Sequence, residues 1–302
     1  MDSQWGDDGS SSFGHARARA LVSRVARNVV NQLDTMRGVL GGIANPADFE
    51  NLEESALAIL QKIELLIADG RIEPLARLRH SARGGFFPPW DKELRIGVFP
   101  LAANPFHWAH LLGGLLVVER FQLDKLVFLV AGTDPRKPTM APESVRHSMA
   151  KEIIDLFHPL FEYSSLALGT AIAGEEQLFR ILRMNPAQPV HAFYIAGGDH
   201  FHRFNPGTGS ADTIQRLEDG MAGNGSGFDG HFHRVSAVFL ARGGEEENIE
   251  TVLDVHHLEG LPLVTSSTEV RRALAGRGRR RVLYTLPYVA FLSICQNRLY
   301  GA

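Results

Sequence analysis

A single cysteine, Cys295, stands in 302 residues. That excludes an intramolecular disulfide framework and fits a reducing cytoplasm. The apolar residues around Cys295 suggest a packed thiol rather than a nucleophile. No uninterrupted apolar run reaches the length that spans a bilayer, so no membrane association is expected. Formal net charge is only −3, which disfavours a general nucleic-acid binder. There is no G-x-x-x-x-G-K-[ST] sequence, so P-loop chemistry is excluded. His200, His202, His231, His233, His256 and His257 match no zinc-motif spacing and have no cysteine partners, so no metal site is assigned. The first fifteen residues, MDSQWGDDGSSSFGH, are acidic and polar without a following apolar core. They do not read as a secretory signal, and residues 1–13 are expected to form a disordered tail.

The apolar fraction of 44 % is ample for a core. Val22, Val25, Val29, Leu33, Met36 and Leu40 recur at spacings of three and four, which predicts one face of a helix. Gly41-Gly42 ends it. Asn45-Pro46 reads as an N-cap with a first-turn proline, and a second stripe runs from Phe49 to Ile67, ending near Gly70. A short third helix is expected near Pro74. Residues 14–93 are thus a helical extension and linker. Their stripes need covering by each other, by the following domain, or by a second subunit in a homo-oligomer.

From Leu94 the pattern alternates strand and helix. Lys125–Ala131, His191–Ala196 and Val235–Ala241 are continuous apolar strands of the kind covered on both faces of a parallel sheet. Glu143–Leu156 and Gln177–Met184 read as helices. The succession predicts an α/β fold, a doubly wound Rossmann-like parallel sheet over residues 94–302. Asn205–Gly230, rich in Gly, Asn and Ser, reads as a long loop insertion.

Two segments carry chemistry. The first is Ile96–Leu111, IGVFPLAANPFHWAHL: a strand, a proline-punctuated loop, then His107 and His110 at the start of an apolar helix. Backbone N–H groups and the helix dipole favour an anion there, and two imidazoles one turn apart would face it. The second is Leu261–Leu274, LPLVTSSTEVRRAL. It reads as a short strand (Leu263, Val264) entering a helix capped by Ser267 or Thr268, with Arg271 in the first turn. Hydroxyls, free N–H groups and a guanidinium make a second phosphate cradle.

The first segment resembles the G-G-T-F-D-P-x-H-x-G-H motif of the nucleotidyltransferase superfamily that includes the nicotinate and nicotinamide mononucleotide adenylyltransferases. Asn104, Pro105, His107 and His110 fall on the matching positions. The glycine pair is Pro100-Leu101 here, the phenylalanine is Ala103, and the last motif glycine is Ala109. These replacements leave the loop short of residues suited to positive φ. The second segment is similar to the family's I-S-S-T-x-I-R signature, with Thr265, Ser266, Ser267, Thr268, Val270 and Arg271 matching. It has no lysine, unlike the aminoacyl-tRNA synthetases of related fold. Between the two, Gly197-Gly198-Asp199 resembles the strand end that reads the nucleotide. Lys137, Arg146 and Met149 resemble a phosphate lysine and an Arg-x-x-Met helix. The C-terminal VLYTLPYVAFLSICQNRLYG resembles the tail of the bacterial nicotinate-nucleotide enzymes.

The resemblance, which covers roughly residues 94–302, implies adenylyl transfer from ATP to nicotinate or nicotinamide mononucleotide, with Mg²⁺. It implies that His107, His110, Lys137 and Arg271 carry the reaction. Asn104, Pro105, Gly197, Asp199, Ser266, Ser267 and Thr268 would bind the nucleotides. Partners would be small molecules only, in the cytoplasm. Phosphopantetheine adenylyl or cytidylyl transfer shares both motifs, and a nucleotide-binding regulator without turnover is compatible with the glycine-poor loop. The run Arg277, Arg279, Arg280 and Arg281 reads as a solvated basic turn.

Overall fold

Six parallel strands build the sheet, in the order β3-β2-β1-β4-β5-β6. They are β1 Leu94–Leu101, β2 Lys125–Val130, β3 Phe161–Ser164, β4 Val190–Gly197, β5 His233–Leu240 and β6 Asp254–Leu258. The computed structural model describes residues 8–80, 92–133, 139–223, 228–241 and 249–301. The chain builds outward from β1 to β3, then returns to β4 on the other side of β1. The point between β1 and β4 is the topological switch of a doubly wound sheet, where a crevice opens at the strands' carboxyl ends. Every residue of β2 is buried, as expected for a strand covered on both faces.

One face is covered by α3 Trp108–Phe121 and α4 Glu143–Asp155, together with α7 Ser267–Leu274 and α8 Tyr288–Gln296. The other face is covered by α5 Gly174–Arg183 and α6 Thr213–Met221. Helix α3 lies tight on the sheet because Gly114 faces it. A Cβ there would stand 2.7 Å from Leu126 Cδ2 and 3.1 Å from Phe161 Cζ.

The expected preface helices are α1 Asp8–Leu40 and α2 Pro46–Ala68. Asn45 caps α2, its side chain accepting the Ala47 N–H, and Gly70 takes φ +67 beyond its end. The stripe of α1, from Val22 to Leu40, is buried within the same apolar cluster as α3, α4 and α8. Polar contacts fasten it as well: Asn28 Nδ2 donates to Leu156 O at 2.7 Å, and Gln32 Oε1 accepts the Val289 N–H at 3.0 Å. The stripes are therefore consumed inside the chain, and an oligomer would have to use other surfaces.

Several expectations are corrected. Helix α1 starts at Asp8, inside the segment expected to be a disordered tail. No helix follows Pro74: residues 76–80 are irregular, and Asn185 both accepts the Arg79 N–H and donates to its carbonyl. The segment 205–230 is not all loop, for α6 lies in it, capped by Asp212 and burying Ile214 and Leu217. Leu263-Val264 is not a strand. The strand is β6, upstream, whose Asp254, His256 and His257 suit an edge that pairs on one side only. Cys295 is exposed on α8 rather than packed.

Candidate active site

The loop leaving β1 at the switch point carries the first motif. Ala103 takes φ +49 there and is almost wholly buried. His107 follows in extended conformation (φ −147°, ψ 167°) as the N-cap of α3, and His110 occupies the third helical position. The His107 N–H donates to His110 Nδ1 at 3.3 Å, and the two rings stack with centroids 3.7 Å apart. An Nδ1 that accepts leaves the ring proton on Nε2, which makes His110 a donor at its far nitrogen. Phe99 and Phe106 stand edge-on to the His110 ring, at 6.2 and 5.2 Å. His107 is buried and His110 half-buried, so His110 is the more accessible imidazole of the pair.

The second motif reaches the same loop. Ser266, not Ser267 or Thr268, caps α7. Its hydroxyl accepts the Glu269 N–H at 3.2 Å, while the Glu269 carboxylate accepts the Ser266 N–H at 2.8 Å. That reciprocal pair is a capping box, legible in the sequence as Ser266-x-x-Glu269. With Ser266 assigned to the cap, Ser267 is free to turn toward the β1 loop, and its hydroxyl donates to Pro105 O at 3.1 Å. Arg271 Nη1 donates to Asn104 O at 2.6 Å, and its Nη2 to Thr268 Oγ1 at 3.1 Å. Two helix N-termini, with hydroxyls, a guanidinium and paired imidazoles, thus stand side by side at the carboxyl end of β1. Such a surface is suited to a polyanion with several phosphates.

Asn104 is the junction of the network. Its Oδ1 accepts the Ala141 N–H at 3.1 Å and the Tyr300 hydroxyl at 2.5 Å. Burial pushes the Tyr300 phenol up to about 12, against the opposing pull of Arg271 and Arg146. The hydroxyl therefore remains a donor at any ordinary pH. The sequence pattern includes Tyr300 in the C-terminal tail but assigns it no place in the site. Arg146, matched in sequence to an Arg-x-x-Met helix but given no part in the reaction, is buried beneath the loop.

Gly197 ends β4, which neighbours β1 in the sheet. Asp199 follows in the single turn Gly198–His200, exposed, with its carboxylate 4.0 Å from His200 Nε2. The hydrogen bonds that join Asn104, Ser267, Arg271 and Tyr300 do not extend to Asp199. Lys137 lies outside the described residues.

No family model matches the chain. Curated relatives do. One from Thermoanaerobacter, named "Probable nicotinate-nucleotide adenylyltransferase", is 26 % identical over 206 residues, covering 65 % of this chain and 90 % of its own. One of the same name from Solibacter usitatus is 26 % identical over 187 residues, with 61 % and 89 % covered. A solved nicotinic acid mononucleotide adenylyltransferase of Plasmodium falciparum, complexed with NaAD, aligns at 12 % identity with a TM-score of 0.46, over 69 % of this chain and 98 % of its own. On the sequence relationship, the chain is similar to curated proteins named as probable nicotinate-nucleotide adenylyltransferases.

Proposed function

We propose that the protein transfers the adenylyl group of ATP to nicotinate mononucleotide, or its nicotinamide counterpart, forming a dinucleotide and releasing pyrophosphate. The observation that carries this reading is the joining of the two phosphate-type helix starts through Asn104, Ser267 and Arg271. The names of the relatives supply the acceptor class.

In the reaction an oxygen of the acceptor phosphate attacks the α-phosphorus in line, and the bond to the β-phosphate oxygen breaks. Charge grows on the non-bridging and leaving oxygens, so positioning and charge stabilisation do the catalysis. His110 Nε2–H, with His107 stacked on it, meets the phosphates at the positive end of α3. Arg271, Ser267, Thr268 and the N–H groups of α7 hold the departing diphosphate. Ser266 shapes that helix start, and Asn104 and Pro105 set the loop. Lys137 is assigned to the phosphates, and Gly197 and Asp199 to the nucleotide, by their motif positions.

The described residues here offer N–H and O–H donors, and no cluster of three or more metal-binding side chains occurs among the described residues. A Mg²⁺ fits as a companion of the nucleotide, held by phosphate and water oxygens. Among the described residues, no helix is long and apolar enough to cross a membrane. We place the reaction in the cytoplasm, where both substrates and a reduced Cys295 belong.

The test is a coupled pyrophosphate-release assay with ATP or CTP against a panel of acceptors: both pyridine mononucleotides, FMN and phosphopantetheine. Turnover with ATP and a pyridine mononucleotide is expected. Turnover only with another pair moves the protein to another branch of the superfamily. ATP binding without turnover makes it a regulator.

A further inference from the structure

Arg146 is among the largest side chains wholly enclosed by the protein. Among the described residues, its guanidinium donates to four backbone carbonyls. Nε donates to Ala141 O at 3.0 Å, Nη1 to Ala102 O at 2.7 Å and to Ala131 O at 2.8 Å, and Nη2 to Gly132 O at 2.6 Å. Glu143, one turn earlier, acts on it through space. Taking an ion out of water costs stability unless its hydrogen bonds are remade, and a chain built only for stability is served as well by an apolar side chain.

The four carbonyls come from three segments. Ala102 lies in the loop leaving β1, two residues before Asn104. Ala131 and Gly132 leave β2, on the way in sequence to Lys137. Ala141 leads into α4. The planar fork of an arginine presents donors in fixed directions, which a lysine ammonium does not. The same structure grips these segments elsewhere. The Ala141 N–H donates to Asn104 Oδ1, and a Cβ on Gly132 would meet Thr170 O at 2.1 Å and Ala167 O at 2.3 Å. His147 Nε2 lies 3.3 Å from Ala131 O.

We infer that Arg146 is a positioning residue for adenylyl transfer: it touches no substrate and fixes the β1 loop, with Asn104, His107 and His110 behind it, relative to the β2 loop that continues to Lys137. The inference rests on the function proposed above for the catalytic consequence, and on the hydrogen bonds alone for the positioning itself.

The experiment compares the parent with Arg146→Lys and, as a second variant acting on the same loop from its other side, Gly132→Ala. Both are expected to lower kcat roughly 10- to 100-fold, as a misplaced reacting geometry does. KM for ATP should change less than about threefold, because the phosphate-binding groups remain. Guanidinium ion at tens of millimolar should restore activity to Arg146→Ala, while equal urea or sodium chloride should not. Amide hydrogen exchange should quicken in residues 102–107 and 131–133 of Arg146→Lys, with the β4 and β5 amides unchanged. Parent-like kcat in both variants would overturn the catalytic part, as would a fall in kcat that only tracks the unfolded fraction. Unchanged exchange in both loops would overturn the positioning whatever the activity. A parent that turns over no substrate pair fails the proposed function instead, and the exchange comparison still decides the positioning.

Discussion

Arg271→Ala tests the division between the helix arginine and the basic run that follows it. In the structure Arg271 spans the two motifs, donating to Asn104 O at 2.6 Å and to Thr268 Oγ1 at 3.1 Å. Removing it deletes two half-exposed hydrogen bonds, a stability cost of about 1–2 kcal/mol, which for a chain of this size lowers Tm by only a few degrees. The effect on substrate is larger. A guanidinium–phosphate contact contributes roughly 1.5–3 kcal/mol, so losing it weakens ATP binding on the order of 10- to 150-fold at 1.4 kcal/mol per decade. The contact exists before bond breaking as well as during it, so the loss belongs mainly in KM, with kcat falling less. Arg280 is exposed at the start of the turn Arg280–Thr285, and Arg280→Ala should change KM by less than about twofold. The measurement is initial rate of pyrophosphate release against ATP at saturating acceptor, with Tm recorded for each variant. Equal increases in KM from the two substitutions would refute the reasoning. So would an Arg271→Ala enzyme with unaltered KM.

His110→Ala should lower kcat about 10²-fold or more while changing ATP affinity little, since its Nε2–H bond strengthens as charge develops; single-turnover rates check it, and near-normal kcat rejects the assignment. Burial, aided by Arg234 and Arg95, pushes the His191 imidazole down to about 4, below its unfolded value near 6.5. The neutral form is therefore the native one, and its contribution is complete above pH 6.5 and lost as pH falls toward 4, up to about 3 kcal/mol. Urea unfolding at pH 7 and 4.5 should show that loss in the parent and a smaller one in His191→Gln; parallel losses would reject it. A chain beginning at Trp90 removes α1 and α2 and uncovers the apolar side of α3 and α8, so light scattering should show association. A soluble monomer with parental Tm would show that the preface is dispensable to the fold.

What the sequence made legible was what local physics determines. The buried strands and the stripe of α1 follow from periodicity, and Asn45-Pro46 from capping chemistry. The two motifs announced themselves because helix starts need particular residues. The misreadings share a cause. β6 is an edge, half-solvated, so its Asp254 and His256 broke the apolar pattern by which buried strands are recognised. Helix α6 is short and wrapped in turn-type residues, and its few apolar positions acquire meaning only against the core that α5 helps to form. Arg146 was legible as a motif match but its role was not, and Tyr300 was not legible as a site residue, because their partners are backbone carbonyls and an amide oxygen distant in sequence, contacts that leave no spacing to read.

The replaced glycines of the first motif illustrate the same division. Pro100 and Leu101, where the family pattern has its glycine pair, close β1 and still pair with Leu129 and Val130, so extended backbone suffices there. Ala109 is the second residue of α3, where an alanine is the best helix former. The left-handed backbone that glycine would ease falls at neither position. It falls at Ala103, with φ +49, and an alanine held so costs roughly 1–2 kcal/mol. That cost is met on both sides. Ala102 O receives the Arg146 guanidinium, and Asn104 is bonded through its carbonyl to Arg271 and through its side chain to Ala141 and Tyr300. The two arginine bonds are charge-assisted and contribute roughly 1.5–3 kcal/mol each, enough to hold one strained residue between them. In this chain the loop of the first motif is shaped by what grips it from α4, α7 and the C-terminal tyrosine rather than by glycines within it, so the integrity of that motif depends on residues far from it in sequence.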